Sequence, residues 1–73
     1  MKEKLIKLIR DYKEDDTLQI DEGMDLIADL DFTSIELYSL VGEIEEAFDV
    51  EFTDKAMAEI KTFGQLLSYV EKQ

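Results

Sequence analysis

Leu37, Leu40, Val41, Ile44 and Phe48 recur at steps of three and four residues, the spacing that gathers side chains on one face of an α-helix. Glu36, Glu43, Glu45 and Glu46 occupy the other faces. A stretch patterned this way buries one apolar stripe and leaves the rest in water, so it needs packing partners with stripes of their own. The pattern predicts a helix from about Ser34 to Phe48.

The partners are legible on both sides. Leu5, Leu8, Ile9 and Tyr12 follow the same spacing and predict a helix from Lys2 to about Lys13, ended by Glu14-Asp15-Asp16-Thr17. A long connection follows, carrying Leu18, Ile20, Met24, Leu26, Ile27 and Leu30. Structureless loops of that length are uncommon in compact domains unless they are functional or held by their own side chains, and these apolar residues are the expected pins. After Asp49, Val50-Glu51-Phe52 alternates like a strand but has no pairing partner, and reads as a connector. A short helix is expected from about Asp54 to Ile60, with Thr53 as cap and Ala56, Met57 and Ile60 inward. The last helix opens at Thr62, where Gln65 completes a capping box, and buries Phe63, Leu66, Leu67 and Val70. Hydrophobic residues make up 45% of the chain, and their helical spacing argues against disorder. The expectation is an all-α fold over a single domain, residues 1–73: a bundle of three main helices and one short one, with a long loop between the first and second.

Composition removes whole classes of function. A chain of 73 residues has room for one core and no deep pocket, burying about 60% of its unfolded surface. It has no cysteine, hence no disulfide framework or thiolate zinc site, and no histidine, the usual general base. A nucleophilic Ser34 would have to be activated by a lysine, so the chain reads as no enzyme. The 19 acidic and 8 basic residues leave a charge of -11, which repels nucleic acid and anionic lipid and favours partners with basic patches. Asp15, Asp16, Asp21, Glu22 and Asp25 crowd the connection but fail the calcium-loop spacing, so no metal site is expected. No apolar run nears the roughly 18 residues that span a bilayer, and the start Met-Lys-Glu-Lys leads into an amphipathic pattern. The expectation is a soluble, cytoplasmic protein without membrane insertion.

Ser34 stands where the connection becomes the acidic helix. Helix starts expose N–H groups and carry partial positive charge, so a phosphate esterified to this serine is held favourably. That points to a modified serine rather than a catalytic one. Thr33 with Glu36 three residues on reads as a capping box, which makes Ser34 the first helical residue. Ser34 as the cap itself is the other reading; the two differ by one residue, and local sequence leaves both open.

Around Ser34 the order of features is distinctive. Leu30 lies four residues before it and Ile35 directly after, and the acidic helix ends in Glu45-Glu46-Ala47-Phe48-Asp49. Glu51-Phe52-Thr53-Asp54, Ile60, Thr62-Phe63 and Tyr69-Val70 follow without a gap. From Leu30 to Val70 the chain resembles the acyl carrier protein family, and the first helix and long connection extend the resemblance to nearly the whole chain. The resemblance implies a four-helix fold in which a phosphopantetheinyl transferase esterifies Ser34 with phosphopantetheine from coenzyme A. The arm would supply the thiol this chain lacks, and an acyl group would travel on it as a thioester. Acyl-transferring or condensing enzymes with basic docking patches, in fatty acid, polyketide or related biosynthesis, would do the chemistry. A carrier that visits several enzymes is expected to be a monomer.

The family core usually reads Gly-x-Asp-Ser-Leu, whereas this chain has Asp31-Phe32-Thr33-Ser34-Ile35. Thr33 removes a charge that in the family contributes to transferase recognition, and Ile35 is a conservative exchange. Partner recognition is expected at Thr33, Ile35, Glu36, Tyr38, Glu43, Glu45 and Glu46, whose bland alternative is an ordinary solvated helix face. Phe32 is expected to anchor the loop. Leu40, Val41, Ile44, Phe63 and Leu67 read as core, and in the family such residues part to shelter fatty cargo. Two other functions fit the same fold: an aminoacyl or peptidyl carrier, and an unmodified acidic protein-interaction domain. The acidic second helix tilts the reading towards acyl cargo, and tolerance of alanine at Ser34 would single out the interaction domain.

Overall fold

In a computed structural model, which describes residues 1–73, the chain forms four helices and no strand. They are α1 (Lys2–Lys13), α2 (Ser34–Phe48), α3 (Asp54–Glu59) and α4 (Phe63–Glu71). Val50-Glu51-Phe52 is a connector. Leu5 and Ile9 of α1 are fully buried, with Leu8 and Tyr12 packed at the edge of the core. Glu14 ends α1 at φ 55°, in the left-handed region, and the N–H groups of Glu14 and Asp15 turn back onto the carbonyls of Asp11 and Arg10. Leu37, Leu40, Val41 and Ile44 of α2 are buried and Phe48 is half-buried. Phe63, Leu66, Leu67 and Val70 of α4 complete the stripe pattern.

The core is one cluster of 13 buried residues, and the connection supplies Ile20, Leu26, Leu30 and Phe32 to it, where α1 supplies only Leu5 and Ile9. The connection is therefore a structural layer in its own right. None of the cluster comes from α3, whose Met57 packs at the edge alongside its C-cap Ile60. Ile27 departs from expectation: it is 50% exposed and pins nothing, because the turn around Asp25 directs it outward.

Two sets of long-range bonds hold the connection. The first is a short antiparallel pairing centred on Asp25 and Thr62. Here Leu26 N–H donates to the Lys61 carbonyl (2.9 Å), Phe63 N–H to Met24 (2.9 Å) and Gly64 N–H to Glu22 (2.8 Å). The second comes from α1, which carries Lys2, Lys4, Lys7, Arg10 and Lys13 of the chain's eight basic residues. Lys2 pairs with Glu22 (3.0 Å), Arg10 Nε donates to the Leu18 carbonyl (2.9 Å) and Lys13 Nζ to the Asp31 carbonyl (2.7 Å). These cations are spread along the connection, from Leu18 to Asp31, so the otherwise acidic chain uses its basic helix as a strap.

Gly64 is where the connection and α4 come closest. A Cβ there would lie 2.8 Å from the Glu22 carbonyl oxygen and 3.2 Å from Glu22 Cβ. Gly64→Ala is expected to push the pairing apart and cost about 1–3 kcal/mol, read as a lower denaturation midpoint with an unchanged slope.

Candidate functional site

Ser34 is delivered to the surface by a self-bonded turn. Asp25 Oδ1 accepts the N–H groups of Ile27 and Ala28 (both 2.8 Å), and its carbonyl accepts those of Asp29 and Leu30. Asp29 returns the contact, accepting Asp25 N–H at 2.7 Å. Phe32 N–H then bonds the Leu26 carbonyl (3.1 Å), and Phe32 is buried as the expected anchor, its ring stacked on Tyr12 at 5.7 Å between centroids. The Ala28 and Ile27 N–H groups hold the Asp25 carboxyl below its ordinary value. Between the turn and α2, Asp31 sits at φ 58°, a conformation that aspartate tolerates better than most side chains.

Thr33 is the N-cap. Its hydroxyl accepts Glu36 N–H (3.1 Å), and Glu36 Oε1 accepts Thr33 N–H (3.0 Å), which closes the capping box and decides the open question of register in favour of Ser34 as the first helical residue. The box uses the N–H groups of residues 33 and 36. Those of Ser34 and Ile35, lying between, have no acceptor in the protein. The exposed Ser34 hydroxyl thus stands beside two open donors at the positive end of a 15-residue helix. That is a good fit for a phosphodiester on Ser34.

The residues expected to meet partners divide by face. At ~100° per residue, Ser34, Tyr38 and Glu45 share the side of α2 nearest α3, whereas Glu36 and Glu43 lie on the side towards α1. Ile35, at 83% exposure, and Glu46 form the crest opposite the buried stripe. Tyr38 is 61% exposed. Glu43 and Glu46 are exposed and make no hydrogen bond or ion pair. Glu36 and Glu45 have structural work as well. Thr33, through its backbone N–H and then its hydroxyl, and the nearby Lys13 keep the Glu36 carboxyl below its ordinary value, and Glu45 Oε2 accepts Phe52 N–H at 2.8 Å. A purely solvated face is thus the wrong description for these two.

Beside Ser34 a groove of about 430 Å³ opens between α2, α3 and the turn. Tyr38 and Leu37 form one wall, Met57 and Ile60 the other, with Ile27 and Lys61 at the margins. Leu40, Val41, Ile44, Phe63 and Leu67 are buried and do not line it. Asp25, Ile27, Met57 and Lys61 were not singled out from sequence as site residues. Ile27 offered one signal, an apolar residue in a polar turn; Lys61 offered none.

The chain matches the family model described as a phosphopantetheine attachment site over residues 3–70. It is 34% identical over 70 residues to the acyl carrier protein of Sinorhizobium fredii, an alignment covering 96% of this chain and 90% of that one. With the acyl carrier protein of Streptococcus pneumoniae it shares 44% identity over 45 residues, which is 62% of this chain and 58% of the relative's length. In three dimensions it is similar to a Mycobacterium tuberculosis protein assigned as an acyl carrier protein, with a TM-score of 0.90 and 28% identity over 97% of this chain and 95% of that one.

Two outcomes test this geometry. Thr33→Ala is expected to lower stability by about 1 kcal/mol and Ser34→Ala to leave it within about 0.5 kcal/mol, measured by urea unfolding, because only the threonine caps the helix. Asp25→Asn tests the turn. Since the folded carboxyl titrates below 3.8, its ionised form stabilises the fold above that value and the benefit is lost as pH falls through the lower folded value. The variant is expected to be less stable than the wild type at pH 7, with a gap that closes on acidification below about pH 4, followed by thermal melts across pH.

Proposed function

Since the chain belongs to the acyl carrier protein family, whose members carry covalent phosphopantetheine, we propose that residues 1–73 form one carrier domain with Ser34 as the attachment point. The observation that carries the proposal is Ser34 itself: exposed, first in α2, and flanked by the open N–H groups of Ser34 and Ile35. Modification forms a bond from Ser34 Oγ to the pantetheine-side phosphorus of the coenzyme A pyrophosphate as that phosphorus loses its bond to the bridging oxygen, which leaves with 3′-phosphoadenosine 5′-phosphate, and the hydroxyl proton passes to the transferase. The attached group supplies a thiol on which an acyl chain is held as a thioester. For their part, the protein's own residues hold the phosphodiester, orient it and present it. The helix start stabilises the negative phosphate, and the capping box keeps that start from fraying.

The groove supports acyl cargo over aminoacyl or peptidyl cargo. Eight of its 11 lining residues are hydrophobic, and its volume lies within the ~300–1,000 Å³ typical of small-molecule sites. Ile27, Leu37, Met57 and Ile60 offer an apolar bed that a charged amino group would not prefer. The buried cluster below need not open to supply it.

Recognition belongs to the exposed faces of α2. Ile35 and Tyr38 offer apolar contact beside Ser34, and Glu43 and Glu46 give long-range attraction to basic docking patches, on the phosphopantetheinyl transferase and on the acyl-transferring or condensing enzymes. The end of α2 is acidic and has no basic residue in its last turn, the opposite of what the helix dipole favours. Such a placement spends a little stability on a charged surface. Partner enzymes, rather than this chain, do the chemistry.

Intact mass before and after incubation with coenzyme A, magnesium and a broad-specificity phosphopantetheinyl transferase tests the proposal. A gain of one phosphopantetheine by the wild type and none by Ser34→Ala is the expected result. A folded, previously unmodified wild type that gains nothing from several such transferases would instead favour an interaction domain built on the carrier fold.

A further inference from the structure

We infer that Lys13, at the end of α1, is a positioning residue for phosphopantetheinyl transfer: its ammonium locks the Asp31–Thr33 approach and so sets the direction of the Ser34 hydroxyl. The inference rests on Ser34 being the attachment point. Lys13 Nζ donates to the Asp31 carbonyl at 2.7 Å, a short, charge-assisted bond. No backbone N–H reaches that carbonyl, so Lys13 is its donor. The same nitrogen lies 4.3 Å from the centre of the Phe32 ring, within cation–π range, while Tyr12, the preceding residue of α1, stacks on that ring. Two consecutive residues of one helix thereby grip two consecutive residues of the approach.

The grip falls where the backbone most needs it. Asp31 holds a left-handed conformation, which costs aspartate less than most side chains but still more than the extended or right-handed alternatives it could relax into. Its neighbour Phe32 is buried, so a rotation at Asp31 would move either the ring or the start of α2. The capping box lies within α2 and its cap and survives such a rotation, so α2 would keep its helix but change the direction in which it presents Ser34. Phosphoryl transfer is sensitive to misplacement of the attacking oxygen by an ångström. Of the exposed residues of α2, Ile35, Tyr38, Glu43 and Glu46 make no hydrogen bond or ion pair with Lys13, and only Glu36 lies near it, so docking through those four is separable from orientation.

The test compares wild type, Lys13→Met, which keeps the aliphatic stem, and Lys13→Arg, which restores a cation that can both donate and stack. The readouts are steady-state modification by a transferase that accepts the wild type, and amide hydrogen exchange at Phe32, whose N–H bonds the Leu26 carbonyl. Lys13→Met is expected to lower kcat about tenfold with KM within about twofold, and to speed exchange at Phe32, while Lys13→Arg returns both towards wild type. Wild-type kcat and wild-type exchange in Lys13→Met would overturn the inference. So would a loss confined to KM, or one that arginine fails to restore. A wild type that is never modified, by contrast, strikes at the attachment site and not at Lys13.

Discussion

The backbone pairing between the connection and the start of α4 is the constraint from which the rest follows. Residues 14–33 are too many to leave unsatisfied next to a small core, and α3 is too short to organise them. The bonds Leu26 to Lys61, Phe63 to Met24 and Gly64 to Glu22 give this segment a fixed edge. Once that edge exists, Leu26, Leu30 and Phe32 fall into the core, the Asp25 turn is placed, and the chain arrives at Thr33 from one direction. The margin of the groove at Ile27 and Lys61 is a by-product of the same pairing.

Charge is distributed in keeping with this arrangement. A formal charge of -11 repels itself, yet three of the α1 cations are placed on the connection, at Glu22 and at two carbonyls. Those bonds are to exposed or part-buried groups and are individually modest, but each ties together residues 8 to 20 positions apart. What remains unpaired on α2, Glu43 and Glu46, faces solvent. Three of its eight positive charges thus hold the connection in place, while Glu43 and Glu46 stay free at the surface.

Helices and caps were legible because their signals are local. The stripe Leu37, Leu40, Val41, Ile44 and Phe48 and the capping pairs Thr33 with Glu36 and Thr62 with Gln65 lie within a few residues of one another, and the structure places them as their spacing implies. Ile27 was misread for the complementary reason. Hydrophobicity marks a residue that can be buried, but whether it is depends on a turn whose shape comes from Asp25 and Asp29. The capping role of Glu36 was legible from its spacing to Thr33, but Glu45 looked like a free surface charge because a carboxylate bonded to a backbone N–H seven residues away has the same letter as one in water.

Sequence by itself determined the helical periodicity of each segment, the place of Ser34 at a helix start to within one residue, the acidity of α2 and the absence of a thiol or imidazole. These depend on residue type and short-range spacing, which the chain carries explicitly. Tertiary structure alone decided that Thr33 rather than Ser34 is the cap, that the groove lies between Tyr38 and Met57 instead of within the Leu40–Phe63 core, and that Lys13 reaches Asp31. The first was a choice between two locally equivalent hydroxyls, settled by the path on which the connection enters α2. The others join residues about 18 or more positions apart, and such contacts exist only once packing has chosen which loop conformations survive.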